Sequence, residues 1–272
     1  MIELKQQIES CWENRELLKE SSHREAILTV IDQLDQGKIR VAEPISQGQW
    51  KVNDWVKKAI LMYFPIMENK KIVAGDLEFY DKIPTKKDYE KLGVRAVPHA
   101  IARYGSYVES GAILMPSYVN IGAYVGSGSM IDTWATVGSC AQIGRNVHIA
   151  GGVGVGGVLE PLQAQPNIIE DNCFIGSRCI IVEGTIIEQE AVLGANVVIT
   201  ASTHIIDVTG TEPVKYQGRI PARSVVIPGS YSKNFPAGNY QVPCALIIGT
   251  RKESTDKKVS LNDALRDYGV SV

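Results

Sequence analysis

The sequence lacks a long apolar run. Nothing in its 272 residues approaches the ~18 consecutive apolar residues of a membrane-spanning helix, so no membrane partner is expected. It also lacks a charge excess: 28 Lys+Arg stand against 30 Asp+Glu, and nothing draws such a chain to nucleic acid. The opening segment, MIELKQQIESCWENRE, has no apolar stretch of the kind a signal peptide requires. Cysteines are few and odd in number (Cys11, Cys140, Cys173, Cys179, Cys244), with no C-x-x-C pair. They read as reduced thiols in a cytoplasmic protein rather than a disulfide framework or a zinc site. Charge is missing locally too. From Ser110 to Leu159 the one carboxylate is Asp132, and no lysine occurs between Lys91 and Lys215.

What is abundant is glycine, 25 residues, and a repeat places it. Counting in sixes from Ile101, one position is held by Ile101, Tyr107, Ile113, Val119, Val125, Ile131, Val137, Ile143, Ile149 and Val155. The frame resumes at Ile169, Ile175, Ile181, Ile187, Leu193, Ile199 and Ile205. Four residues after each sits a small or β-branched residue in almost every case, from Gly105 and Gly111 through Ala123 and Ala135 to Cys179 and Thr203. A period of six fits neither a helix nor a single exposed strand. It fits a short strand plus a turn, with the aliphatic residue inside. Three such sides close an 18-residue coil, and coils stacked at ~4.8 Å build a prism roughly 30 Å long from about six coils. A weaker pair, Ile220 and Val226, extends the series. Such hexads resemble left-handed parallel β-helices, and the handedness is taken from that resemblance.

The flanks differ in kind. Ser22-His23-Arg24-Glu25 has the spacing of a capping box ahead of Ala26, Ile27, Val30, Ile31 and Leu34, with Gly37 as a stop. Lys38 to Val52 alternates around Gly48 and predicts a hairpin. Asn53 predicts the cap of a helix through Trp55, Ala59 and Met62 that ends before Pro65. The organisation expected is an α-rich domain over 1–97, a β-helix over 98–230 with an inserted loop at 158–167, and a C-terminal tail over 231–272. In that tail Tyr240 to Ile248 reads as a strand and Leu261 to Tyr268 as a closing helix.

A β-helix is a scaffold, so chemistry is sought where the repeat is broken. Asp132, isolated in Met130-Ile131-Asp132-Thr133-Trp134, suits a general base, or equally a corner residue that binds backbone amides. The glycine-dense run from Gly151 to Gly157 leads into eight residues outside the frame, a loop that can lie over a ligand. It does not match G-x-x-x-x-G-K-[ST], which excludes a triphosphate-cradling loop. His99, His148 and His204 have no metal-ligand spacing and read as structural or surface residues.

Several blocks are more specific than the hexads: LMPSYVNIGAYV at 114–125, MIDTWATVGSCAQIG at 130–144, GGVLEPLQAQP at 156–166 and IIEDNCFIGSR at 168–178. On these the chain resembles the tetrahydrodipicolinate N-succinyltransferase family over nearly its whole length. The resemblance implies a homotrimer with sites in grooves between prisms, small-molecule substrates, succinyl-CoA as co-substrate, and no permanently bound cofactor or metal. It implies that Arg95 and Asp132 contact the substrate, with Asp132 also the base. Arg178, with Gly176 and Ser177, is implied for the succinyl carboxylate or a coenzyme phosphate. Many members carry a glutamate where this chain has Ile180, and Glu183 is the nearest replacement. Two other readings are another hexapeptide acyltransferase, acting on a sugar nucleotide or amino acid, and a non-catalytic binding solenoid. The latter predicts a ladder of identical outward polar residues, which is absent.

Overall fold

The structure, a computed structural model, describes residues 2–46, 48–162 and 164–252. Its centre is the expected prism, a left-handed parallel β-helix with three faces of two-residue strands. The first face stacks Ile101–Ala102, Tyr118–Val119, Thr136–Val137, Gly154–Val155, Ile180–Ile181 and Val198–Ile199. The second runs from Tyr107–Val108 to Arg219–Ile220, and the third from Arg95–Ala96 to the start of Ser224–Phe235. In each strand the second residue points inward, because alternate Cβ atoms leave opposite sides of a strand. The interior is a ladder of Val119, Val125, Ile131, Val137, Ile143, Ile149 and their successors, all buried, with Ile220 and Val226 closing it.

The first coil departs from the expected frame. Ala102, Val108 and Leu114 fill the interior, while Ile101, Tyr107 and Ile113 point outward and are half-buried. Pairing shows why: Ile101 faces Tyr118 and Met130 faces Ile113, an offset of 17 residues, whereas Tyr118 faces Thr136, an offset of 18. The side between Leu114 and Val119 is one residue short. A one-residue slip exchanges inside for outside, so the small inward residues here are Ser106 and Ala112, not Gly105 and Gly111. The insertion is also read directly in the register, since Gln142 pairs with Ile168, 26 residues on rather than 18.

The N-terminal region packs α1 (Ile2–Glu13), α2 (Ser21–Asp35) and α3 (Asp54–Ile66) into a second core that includes Ile121 and Cys140 of the prism. In α2 the expected capping box is not formed. The helix starts at Ser21 after Glu20, and the Ser22 hydroxyl lies against His23 instead of capping an amide. Its predicted apolar face is buried throughout. Pro65 lies inside α3 rather than after it; in the last turn its missing N–H removes a single hydrogen bond, while Trp55, Val56, Ala59, Ile60, Met62 and Tyr63 bury the rest. The predicted hairpin forms as Ala42–Ser46 with Gln49–Val52.

The inserted loop leaves the prism at the edge between the first and second faces and lies against these helices, with Leu159 on their core. Fully buried Lys57 of α3 donates to the carbonyls of Pro161 (3.2 Å) and Ala164 (2.9 Å). Burial holds its ammonium below the ordinary lysine range, and among the described residues its hydrogen bonds go to carbonyls alone. Buried Asn167 closes the loop by accepting from the Gly184 and Thr185 amides and donating to Gly156 O. At the C-terminal end, Ser224–Phe235 and Gly238–Thr250 form one long antiparallel hairpin. The predicted strand from Tyr240 is part of it, and because Ser224–Phe235 runs unbroken through residue 230, the tail does not separate from the prism at 231. The closing helix expected over Leu261 to Tyr268 lies outside the described residues.

The ladder makes a stability prediction. Ile149 is fully buried between Ile131 and Ile175. Ile149→Ala leaves a cavity that neighbouring coils cannot fill, so a loss of about 2–5 kcal/mol is expected. Thermal melting checks it; an unchanged midpoint would show that the coils collapse around the missing atoms.

Candidate active site

The edge between the third and first faces is built from stacked turns. Gly152 N donates to Thr133 O (2.9 Å), Arg178 N to Gly151 O (3.0 Å), and Asn196 N to Ser177 O (3.0 Å). Each turn passes through a left-handed residue: Trp134 at φ 61°, Gly152 at 69°, Arg178 at 60°, Asn196 at 63°. Glycine and asparagine reach that region readily, whereas a bulky side chain there is uncommon. Trp134 and Arg178 are therefore held where a plainer corner would do, and both are exposed, Trp134 by 74%.

Asp132 opens one of these turns and is half-buried. Its Oδ1 accepts from the Thr133 amide (2.6 Å) and hydroxyl (3.2 Å), the corner role its isolation allowed. Its Oδ2 remains, and stands 3.7 Å from His148 Nε2. His148 lies on the third face directly above Met130. Among the described residues its Nε2 is buried and has no hydrogen-bond partner.

The outward row of the third face reads Arg95, Ile113, Met130, His148, Phe174, Val192. Above His148 the row is covered, since Phe174 and Val192 pack under Ile227 and Ile248. Below it the row is open, with Ile113 and Met130 as an apolar floor and exposed Arg95 at the far end. Arg95 stands two strands below Met130, about 10 Å at the usual strand spacing. Arg178 stands two turns above Asp132, a similar rise, its stem passing over the bare backbone of Gly152. Among the described residues neither guanidinium makes a side-chain hydrogen bond or ion pair. The third face and its edge thus present a carboxylate–imidazole pair between two cations that are uncommitted among the described residues. Gly176 and Ser177 lie in the same turn as Arg178, the glycine buried because the Gly194–Ala195 backbone crosses where a Cβ would be.

Glu183 is elsewhere. It sits at the edge between the first and second faces, one edge round from Asp132, and its Oε2 accepts from the Ala201 amide (3.1 Å). The inserted loop shares that other edge, so within one chain neither reaches Asp132. Sequence reasoning missed His148, and a signal for it existed. It follows Asp132 by sixteen residues, one coil of eighteen less the two residues from Met130 to Asp132. Among the described residues no group of three His, Cys, Asp or Glu can hold a metal, and no helix is long and apolar enough to cross a membrane.

A coil of three six-residue sides, stacked by parallel pairing into a prism, defines a hexapeptide-repeat protein. The family model described as tetrahydrodipicolinate N-succinyltransferase N-terminal matches residues 3–66, and that of the hexapeptide repeat of succinyl-transferase matches 166–201. Proteins named 2,3,4,5-tetrahydropyridine-2,6-dicarboxylate N-succinyltransferase are similar over nearly full length. That of Variovorax paradoxus is 52% identical, covering 97% of this chain and 99% of its own. Those of Paracidovorax citrulli and Neisseria gonorrhoeae are 54% and 53% identical, covering 96% and 95% of this chain and 97% of each relative. The chain belongs to the tetrahydrodipicolinate N-succinyltransferase family, and is an acyl-CoA-dependent transferase.

Proposed function

We propose that the protein moves a succinyl group from succinyl-CoA to the amine of hydrated, ring-opened tetrahydrodipicolinate. The products are N-succinyl-2-amino-6-oxopimelate and coenzyme A, a step of diaminopimelate and lysine synthesis in the cytoplasm. The observation that carries the reading is the pair of uncommitted guanidiniums, Arg95 and Arg178, on either side of Asp132. The acceptor is a dicarboxylate and the donor ends in a carboxylate, and each anion calls for a cation able to form a charge-assisted, bidentate pair. Arg95 anchors the acceptor, and Asp132 takes the proton as nitrogen attacks the thioester. Arg178 meets the succinyl carboxylate, with the Gly176–Ser177 turn beside it. Backbone amides of the prism wall stabilise the oxyanion.

The site is open on its outer side, where exposed Trp134 stands at the edge and exposed Ile180 and Val198 on the adjoining first face. A homotrimer covers such a face with a neighbouring prism and brings another edge, bearing Glu183 and the inserted loop, towards Asp132. Sedimentation is then expected near three times 29.7 kDa. The deciding assay is thiol release from succinyl-CoA with tetrahydrodipicolinate, run beside acetyl-CoA. Fast release that needs both substrates and prefers the succinyl donor is expected; release with a sugar nucleotide or amino acid instead would replace this reading by the other acyltransferase class.

A further inference from the structure

We propose that His148 completes a proton relay behind Asp132, carrying the proton taken from the acceptor amine towards solvent. The source of that proton rests on the functional reading above; the relay itself rests on geometry. Asp132 Oδ1 is committed to Thr133, and Oδ2 faces His148 Nε2 across 3.7 Å. That exceeds the 2.7–3.2 Å of an N–H···O bond. Leaving a buried nitrogen unpaired is costly, yet among the described residues Nε2 is buried and has no hydrogen-bond partner. Two facing acceptors with one proton missing between them have this arrangement. A proton arriving on either atom turns the contact into a charge-assisted bond, and the gap closes.

The ring is held for this purpose. Phe174 meets it edge-on, with centroids 5.3 Å apart at 88°, and the His148 backbone N–H donates to Cys173 O (3.0 Å). The side chain is 38% exposed although Nε2 is sealed, so Nδ1, which makes no hydrogen bond among the described residues, lies on the accessible side. The ionisable group facing the ring is Asp132. Met130 below and Phe174 above carry no charge, and Arg95 stands three strands down the row.

The step balances. The amine nitrogen forms a bond to the thioester carbon, the C–S bond breaks, and coenzyme A leaves as thiolate. One proton of the nitrogen passes to Asp132 Oδ2 and on to His148 Nε2, since imidazole in general binds a proton more tightly than a carboxylate. The Nδ1 proton goes to water and the thiolate takes one from water. Once product leaves, Nδ1 regains a proton from water and the Nε2 proton returns through Asp132 Oδ2 to the open site, which restores the resting tautomer. No proton is gained or lost overall. His148 does not touch substrate in this scheme, so it is a positioning and proton-carrying residue.

The test pairs kinetics with spectroscopy. His148→Phe is expected to lower kcat by roughly tenfold to a hundredfold, at or below the lower end of general-base losses, with KM for both substrates held. Added imidazole is expected to restore part of the rate, which a merely structural histidine would not allow. His148→Gln, polar but unable to carry a proton, is expected to be as slow, and it serves where the phenylalanine variant folds poorly. Full kcat in His148→Gln, or a loss in both variants that imidazole leaves untouched, would overturn the relay. Nitrogen-15 spectra of the resting wild-type protein are expected to place the ring proton on Nδ1; the Nε2–H tautomer would overturn the relay whatever the substrates are. Absence of succinyl transfer by the wild type would instead fell the functional reading, with the tautomer still judging the pair.

Discussion

Asp132→Asn is expected to abolish most turnover while leaving the protein folded and able to bind coenzyme. The replacement is nearly isosteric, and asparagine's carbonyl oxygen can still accept the Thr133 amide that Asp132 Oδ1 now accepts at 2.6 Å. What disappears is the basic Oδ2 that faces His148. Loss of a general base costs ~10²–10⁴-fold, so steady-state kinetics beside a melting curve decide the matter. Retention of more than about a tenth of wild-type turnover, well above that range, would make Asp132 a structural corner and turn attention to Glu183. Arg95→Ala provides the contrast. A carboxylate anchor acts in the ground and transition states alike, so its removal is expected chiefly to raise the acceptor's KM.

Arg178→Ala is expected to erase the preference for succinyl-CoA over acetyl-CoA. Its guanidinium is exposed and uncommitted, so the distal carboxylate of the succinyl group is the partner it gains on binding. A lost charge-assisted hydrogen bond costs about 1.5–3 kcal/mol, roughly a 10- to 150-fold fall in the ratio of kcat/KM values. Arg178→Lys is expected to recover only part of it, because a point charge does not reproduce a planar fork. Parallel assays with the two donors measure the ratio. If it survives in Arg178→Ala, the succinyl carboxylate is read by another group and Arg178 serves the coenzyme or the fold.

Asp132 and Arg178 are legible in the sequence through the blocks MIDTW and IIEDNCFIGSR; the folded prism sets both on one edge, and Arg95 on the third face beside it. His148 reads in the sequence as a structural or surface residue. Its spacing from Asp132 has meaning only once strands are stacked, because a residue's neighbour above is a full coil away in sequence. Glu183 shows the converse. It lies close to Arg178 along the chain, yet the turn between the strands carries it to another edge, where it binds the Ala201 amide.

The period of six determined the prism without help from tertiary structure, because a strand of two residues and a fixed turn leave one way to bury an aliphatic ladder such as Ile131, Ile149 and Ile175. It also determined where that ladder is interrupted. The phase of the first coil was not determined, since Ile101-Ala102, Tyr107-Val108 and Ile113-Leu114 each offer two apolar neighbours, and either can face inward until pairing with the next coil chooses. The direction taken by the inserted loop was left open as well. It is set by buried Lys57, 104 residues before Pro161, whose ammonium finds its acceptors in the loop's carbonyls. Local spacing specifies what each short side must bury; only the stacked coils and the docked helices decide which outward groups meet.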